Sequence, residues 1–259
     1  MSNNPIGIFD SGIGGTSIFK EIHALLPNEN YIYLADSKNA PYGNKSEEEI
    51  LKLSIKNTEH LLSKGCKIII VACNTATTNA ISYLRAKYSV PFIGIEPAIK
   101  PAALNTQSKA VGILATKGTL SSQLFHKTTD LYANDIEVVE QIGEGIVPLI
   151  ETGQLESDEM KALLKIYLEP MLKVNIDYLV LGCTHYPYLI PTLSAMLPKH
   201  VKIIDSGLAV AKQTRAVLVS EALLNSTTQK PTIKLFSNGD ITVLNSIINH
   251  KFNVSYLDF

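Results

Sequence analysis

Ile68-Ile69-Ile70-Val71-Ala72-Cys73-Asn74-Thr75-Ala76-Thr77 is the stretch of sequence that decides the fold. Its first four residues are β-branched, which is typical of a strand buried on both faces in a parallel sheet. The apolar run ends at Cys73, and a helical pattern follows. Because open α/β sheets hold ligands at the carboxyl ends of their strands, Cys73 is predicted at a ligand site. A thiol directly before a helix is also expected to have a lowered pKa.

The pattern occurs a second time, 110 positions later, in Tyr178-Leu179-Val180-Leu181-Gly182-Cys183-Thr184-His185-Tyr186-Pro187. An earlier strand is repeated as well, since Ile6-Gly7-Ile8-Phe9 resembles Val111-Gly112-Ile113-Leu114. We infer a duplication that gives an α/β fold with two pseudo-symmetric, doubly wound domains, mostly parallel sheets and a cleft between them. The predicted domains are residues 1–96 with 209–259, and residues 97–208.

Composition excludes several classes of protein. The 259 residues are 46% hydrophobic, which is ample for a core, and the net charge of −1 with dispersed basic residues predicts no nucleic-acid partner. A long apolar run is absent, so no membrane span is expected. Three cysteines without a short regular spacing argue against a disulfide framework and against a metal site. The N-terminal residues carry no signal-peptide pattern, and the cytoplasm is the expected location.

Two cysteines at equivalent strand ends suit one kind of reaction. A pair of opposed thiols can remove a proton from one face of a carbon and return a proton to the other face. The ordinary thiol pKa, near 8.5, lies close to neutral pH, where acid–base catalysis is efficient. Cys73 and Cys183 are therefore predicted to invert a carbon that bears an acidic hydrogen. Cys66, on a Gly65-Cys66-Lys67 turn, is predicted to be structural.

The turn Asp10-Ser11-Gly12-Ile13-Gly14-Gly15 has three interpretations. Its backbone N–H groups could hold a substrate carboxylate or a phosphate, or its glycines could serve only a tight turn. The dinucleotide fingerprint is incomplete because Ser17 occupies the place of its third glycine. Asp36 ends the next strand at a distance that suits a ribose-binding acid, which leaves a nucleotide site open.

Other polar residues near the strand ends have a functional and a local interpretation. Asp10 could orient a base or bind an ammonium group, or it could cap the turn. His185 could take a proton or bind a carboxylate. The side chains of Asn74, Thr75 and Thr184 suit carboxylate recognition, and they also suit capping of the following helices. Spacing alone predicts that Glu151 is a solvated charge.

Several of these segments resemble the signature sequences of the glutamate racemases, in the aspartate/glutamate racemase superfamily. The resemblance runs in order from Ile6 to about Gly207. The matching segments are Ile8-Phe9-Asp10-Ser11-Gly12-Ile13-Gly14-Gly15, Ala40-Pro41-Tyr42-Gly43, Val71-Ala72-Cys73-Asn74-Thr75-Ala76, Gly94-Ile95-Glu96-Pro97-Ala98, Ala115-Thr116-Lys117-Gly118-Thr119, Val147-Pro148-Leu149-Ile150-Glu151 and Leu181-Gly182-Cys183-Thr184-His185-Tyr186-Pro187. One departure lies in Asp36-Ser37-Lys38-Asn39-Ala40-Pro41, where the family more often has an arginine; we expect this loop to tolerate change.

The resemblance implies a cofactor-independent enzyme that makes D-glutamate from L-glutamate for peptidoglycan, usually as a homodimer. By that resemblance Cys73 takes the α-proton of D-glutamate and Cys183 that of L-glutamate. Asp10 and His185 assist the respective thiols, and Glu151 is a further acidic helper. The residues matching the family's substrate-binding pairs are Asp10-Ser11, Tyr42-Gly43, Asn74-Thr75 and Thr184-His185.

Other functions remain open at the level of sequence. Relatives in the superfamily include aspartate and hydantoin racemases and a decarboxylase. His185 favours glutamate over aspartate, and the presence of both cysteines argues against a decarboxylase that uses one thiol. An amino-acid-binding sensor would also have a cleft between two α/β lobes, but it would not need paired thiols. A nucleotide-binding enzyme is the third class of function that the sequence leaves open, after the racemases with their relatives and the sensor.

Overall fold

The computed structural model describes residues 3–133, 135–227 and 229–259. Within them, ten strands form two sheets in which all neighbouring strands are parallel. The strands are β1 (Ile6–Asp10), β2 (Tyr31–Ala35), β3 (Ile68–Val71), β4 (Phe92–Gly94), β5 (Ala110–Ala115), β6 (Glu137–Ile142), β7 (Tyr178–Gly182), β8 (Lys202–Ile204), β9 (Ile233–Ser237) and β10 (Val254–Tyr256).

Helices connect these strands, as parallel pairing requires. They are α1 (Thr16–Leu25), α2 (Glu47–Ser63), α3 (Asn74–Lys87), α4 (Ile99–Asn105), α5 (Lys117–Leu120), α6 (Gln123–Tyr132), α7 (Ile146–Glu151), α8 (Asp158–Lys173), α9 (Ile190–Met196), α10 (Gly207–Ser220) and α11 (Ile241–Ile247). In the part of the chain that the structure describes, no helix has both the length and the apolar character needed to cross a bilayer.

The strand order confirms the inferred duplication. The first sheet runs β10-β9-β2-β1-β3-β4 and the second runs β6-β5-β7-β8, so β2-β1-β3-β4 has the same topology as the whole second sheet. The register agrees as well: Gly7 lies opposite Ile69, and Gly112 lies opposite Leu179. Cys73 comes four positions after Ile69, and Cys183 comes four positions after Leu179, so the two thiols lie at equivalent strand ends.

Both sheets are covered by helices on both faces, which confirms the doubly wound class. On one face of the first sheet, Phe9, Ile69 and Val71 pack with residues of α2 and α3. The opposite face joins residues of α1 and α10 to an apolar cluster that continues into α7, α8 and the second sheet. The fold therefore buries one continuous core between its two halves.

The tail returns to the first sheet, where β9 pairs with β2 and β10 pairs with β9. Helix α10, which precedes these strands, packs against α1. The division of the chain into residues 1–96 with 209–259 and residues 97–208 stays a prediction.

Two local predictions can be compared with the structure. Ser46 followed by Glu49 three positions later has the sequence pattern of a capping box that begins a helix. The structure confirms this prediction at the start of α2, because the Glu49 N–H donates to Ser46 Oγ and the Ser46 N–H donates to the Glu49 carboxylate. The sequence also predicts one helix over residues 120–132, and this prediction is wrong. The segment is two helices, because Ser122 Oγ accepts the N–H of Phe125 and begins α6 as a new helix.

We predict that Gly7→Ala and Gly112→Ala each lower the free energy of unfolding by about 1–3 kcal/mol, since overpacking a filled core has this cost. A Cβ at Gly7 would lie 2.9 Å from Cys66 Sγ, and one at Gly112 would lie 2.6 Å from Met171 Sδ. Denaturant unfolding of each variant measures the change. Wild-type stability in both variants would contradict the close packing at these equivalent positions.

Candidate active site

The strand ends of both sheets meet at one small cavity of about 10 Å³. A cavity of this size holds about one water molecule, so the two halves are closed on each other here and an amino acid would enter only if they separate. A larger cavity of about 280 Å³ shares Pro41, Gly43, Thr116 and Val147 with it and so lies directly beside it. The small cavity is lined by Ser11, Pro41, Tyr42, Gly43, Cys73, Asn74, Thr75, Thr116, Val147, Cys183, Thr184 and His185.

Cys73 lies at the N-terminus of α3, where its side chain caps the helix. Its Sγ accepts the N–H of Ala76 at 3.4 Å and lies 3.6 Å from Ser11 Oγ, to which a thiol can donate. Burial raises the pKa of the Cys73 thiol above its usual value, and the nearby charge of Asp10 raises it further. The expectation of a lowered pKa is therefore wrong here, because desolvation outweighs the helix N-terminus. Cys73 is held as a thiol.

Cys183 has a different partner, which comes from its own half of the chain. Its Sγ lies 3.7 Å from Nδ1 of His185, and Nε2 of His185 lies 2.5 Å from Oε1 of Glu151. The short contact to the Glu151 carboxylate requires a proton on Nε2 of His185. A protonated ring nitrogen cannot accept a hydrogen bond, so the Gly14 N–H, whose nitrogen lies 3.3 Å from Nε2, is a neighbour of Nε2 and not its donor. The thiol, the imidazole and the carboxylate form one chain of polar contacts.

His185 is fully buried, and burial alone would lower its pKa. The contacts with Cys183 and Glu151 outweigh burial, and they raise the His185 pKa well above its usual value. The imidazole of His185, paired with Glu151, is the polar group that lies beside Cys183 Sγ. The two cysteines of the duplicated fold are thus in unequal surroundings.

The glycine-rich turn holds carboxylates of the protein itself. The Ile13 N–H donates to Glu151 Oε1 at 2.7 Å, while the N–H groups of Gly12 and Gly15 donate to Asp10 Oδ2. Ser37 Oγ donates to the other oxygen of Glu151 at 2.9 Å. The Glu151 side chain is only 14% exposed, so the expectation of a solvated charge is wrong.

Asp10 both caps the turn and links the two halves. Besides the turn N–H groups, its carboxylate accepts the hydroxyl of Thr184 at 3.1 Å. Burial raises the Asp10 pKa, although the charge of His185 and the turn N–H groups act in the opposite direction. Its influence on Cys73 is electrostatic, through the raised thiol pKa described above.

The side-chain amide of Asn74 is a polar group at the cavity. Both polar atoms of this side chain are buried without a hydrogen-bond partner in the described residues, and Asn74 lines the cavity. A buried unpaired amide is costly unless a ligand or water satisfies it. Asn74 therefore offers one donor and one acceptor to a polar ligand. Neighbouring Thr75 lies within hydrogen-bond distance of Thr116, on the other half.

Asp36 does not have a free carboxylate for a ribose. It is fully buried, and its oxygens accept from five side chains, namely Asn39, Tyr42, Lys56, Asn57 and Asn238. The N–H groups of Gly12, Ile13 and Gly15 and the carboxylate of Asp36 are already hydrogen-bonded within the protein, so neither the turn nor Asp36 offers the set of free groups that a nucleotide site needs.

Comparison with known proteins agrees with this geometry. The family model described as "Asp/Glu/Hydantoin racemase" matches residues 6–214. The chain belongs to the aspartate/glutamate/hydantoin racemase family. A glutamate racemase from Herpetosiphon aurantiacus is 45% identical over 240 residues, which cover 93% of this chain and 94% of that protein. The resemblance seen in the sequence is thereby confirmed.

Solved structures of the family superimpose on almost the whole chain. The glutamate racemase of Escherichia coli, in complex with L-glutamate and the activator UDP-MurNAc-ala, has a TM-score of 0.87 and 33% identity and covers 98% of this chain and 97% of its own. That of Francisella tularensis, in complex with D-glutamate, has a TM-score of 0.86 and 30% identity over 100% and 98% of the two chains.

Thr116 and Val147 line the cavity and Ser37 binds Glu151, although the sequence predicted no role for these three residues. Thr116 had a signal: it follows β5 as Ser11 follows β1, so the duplication predicts it at the site. Ser37 had no comparable signal, because its partner lies 114 positions away.

We predict that Glu151→Gln destabilises the fold in a pH-dependent way. Because the His185 pKa is higher in the folded chain than the unfolded value near 6.5, its charge stabilises the fold fully below that pH. This contribution is lost as the pH rises through the folded pKa. The variant should therefore lose about 3 kcal/mol at pH 6, and the difference from the wild type should shrink with rising pH.

Denaturant unfolding at a series of pH values from 6 upward measures this difference. Glu156→Gln is the matched control, because Glu156 is exposed and the same substitution there should change little. A difference between Glu151→Gln and the wild type that stays constant over the whole pH series would contradict the charged pair.

Proposed function

We propose that this protein interconverts L- and D-glutamate by proton transfer between two thiols, and so supplies D-glutamate for peptidoglycan. One observation carries the proposal: Cys73 and Cys183 line a single small cavity beside the unpartnered amide of Asn74. The family relationship supports the reaction class, and the similar proteins that hold L-glutamate and D-glutamate support the substrate.

The unequal surroundings of the two thiols suit a division of roles between them. A two-base reaction needs one thiolate and one thiol at the same time. The buried Cys73 keeps its proton, since burial and the charge of Asp10 both raise its pKa. The reaction from L-glutamate needs its thiolate at Cys183, where the imidazole of His185, held by Glu151, lies beside the sulfur. In this state the site is ready for L-glutamate.

In the forward direction, Cys183 Sγ takes the α-proton of L-glutamate, and its electron pair forms the new S–H bond. The electrons of the broken C–H bond pass into the α-carboxylate. Cys73 then gives its proton to the opposite face of the α-carbon and becomes the thiolate. The reverse reaction starts from that state with D-glutamate, so both protons and charges balance over a cycle.

The residues that bind glutamate are assigned by the hydrogen-bonding and charged groups of their side chains and backbone. We assign a substrate carboxylate to the polar groups of Asn74, Thr75 and Thr184 and to the backbone of Tyr42-Gly43, as the family pattern suggests. Asp10 and Ser11 lie on the side of Cys73 and suit the ammonium group. Glu151 acts through His185, which makes it a positioning residue. The homodimer and the cytoplasmic location implied by the family remain predictions.

We predict that Cys73→Ala and Cys183→Ala each lower the rate of racemisation by about a thousandfold, since each removes one general acid–base group. The assay follows the loss of circular dichroism from L-glutamate and, separately, from D-glutamate, with dialysed protein and no added cofactor. Cys66→Ala is the matched control and should keep its activity. Cys66 lies outside the cavity, and burial raises its pKa to about 12.

The result that would overturn the proposal is wild-type protein that leaves both glutamate enantiomers optically unchanged. Equal losses in all three cysteine variants would also contradict it, because they would point to a general effect on the fold. Racemisation of aspartate in place of glutamate would keep the two-thiol mechanism and change the substrate.

A further inference from the structure

Ser37 connects the two halves of the protein at the catalytic centre. It lies in the loop after β2, in the half that carries Cys73, and its hydroxyl donates to Oε2 of Glu151 at 2.9 Å. The other oxygen of Glu151 accepts from Ile13 N and from His185 Nε2. With both oxygens held, the plane of the carboxylate is fixed, and His185 keeps Nδ1 turned toward Cys183 Sγ.

The tail of the chain holds Ser37 in this place. The Asn238 side chain binds both neighbours of Ser37 in the sequence. Its amide nitrogen donates to Asp36 Oδ1 at 2.5 Å, and its amide oxygen accepts the N–H of Lys38 at 3.0 Å. Asn238 is buried, and Gly239 packs directly on Ser37, because a Cβ at Gly239 would lie 2.9 Å from Ser37 Cβ. These contacts give the tail a connection to the site that its sequence did not show.

We propose that Ser37 is a positioning residue for proton transfer at Cys183, and that Asn238 and Gly239 keep Ser37 within reach of Glu151. This inference rests on the proposed function. It also replaces the expectation that the loop over 36–41 tolerates change, since Asp36 and Ser37 both have specific partners.

The proposal is specific to one thiol. The contacts of Cys73 are with Ser11 and the Ala76 N–H, and neither of these residues contacts Ser37 by a hydrogen bond in the described part of the chain. Loss of the Ser37 hydroxyl should therefore slow the step in which Cys183 gives or takes a proton, and it should leave the Cys73 step unchanged.

The ratio of rates in the two directions cannot reveal this asymmetry. L- and D-glutamate have equal free energies in water, so kcat/KM must be the same in both directions for every variant. The primary isotope effect from substrate deuterated at Cα does reveal it. With L-glutamate the labelled bond breaks at Cys183, and with D-glutamate it breaks at Cys73. Slowing the Cys183 step makes the isotope effect with L-glutamate larger, because breaking the labelled bond then limits the rate more. It makes the isotope effect with D-glutamate smaller, because the unlabelled step at Cys183 then limits the rate.

The experiment compares wild type, Ser37→Ala, Ser37→Thr, Gly239→Ala and Lys38→Ala. Ser37→Ala should lower kcat/KM about tenfold, as expected for one hydrogen bond to a charged group. Its isotope effect on kcat/KM should rise with L-glutamate and fall with D-glutamate. Ser37→Thr keeps the hydroxyl and should restore most of the activity.

Two further variants distinguish a positioning role of Ser37 from a general loss of structure in the loop. Gly239→Ala should shift the isotope effects in the same directions, because its Cβ displaces Ser37 while the hydroxyl stays in the chain. Lys38→Ala should match the wild type, since the Lys38 side chain is 64% exposed and forms only a surface pair with Asp258.

Wild-type isotope effects in Ser37→Ala, or a loss of activity with both isotope effects changed in the same direction, would overturn the proposal for Ser37. Either result would leave the proposed function intact if the wild type racemises glutamate. A wild type that does not racemise glutamate is the separate failure of the proposed function.

Discussion

The docking of Glu151 on the glycine-rich turn is the interaction on which the rest of the site depends. The carboxylate of one half meets the Ile13 N–H and the Ser37 hydroxyl of the other, and it holds His185 against Cys183. Side chains in the turn would prevent this contact. A Cβ at Gly12 would lie 1.9 Å from Glu151 Oε1, and one at Gly14 would lie 2.3 Å from His185 Nδ1. The glycines are therefore required by the approach of the second half.

The duplicated fold brings two thiols to one cavity, but it does not make them equivalent. Cys73 begins a helix and has a hydroxyl and a backbone N–H beside it, whereas Cys183 has an imidazole backed by a carboxylate. Burial raises the Cys73 pKa, and the contacts around His185 raise the pKa of the imidazole. Symmetry thus brings the two thiols to one site, and the different neighbours of each thiol suit the different roles that we propose for them.

The sequence predicted those features that have a local signal. The strand patterns, the capping box at Ser46 and the spacing between the two cysteines are short-range properties, and the duplication then indicated that Cys73 and Cys183 belong together. Long-range contacts have no such signal. The three partners of Glu151 lie 34 to 138 positions away, so its burial was not predictable from spacing. The raised pKa of Cys73 was missed for the same reason, because burial is a property of the assembled fold.

The most direct test of the central claim, two bases on opposite faces of the α-carbon, is the position of solvent hydrogen early in the reaction. Wild-type protein is incubated with protiated L-glutamate in heavy water, and both enantiomers are separated and analysed by mass spectrometry while conversion is still small. The account predicts that the D-glutamate formed carries one solvent deuterium, while the remaining L-glutamate keeps its original hydrogen. D-glutamate that retains the hydrogen of the substrate would require a single base serving both faces, and it would contradict the account.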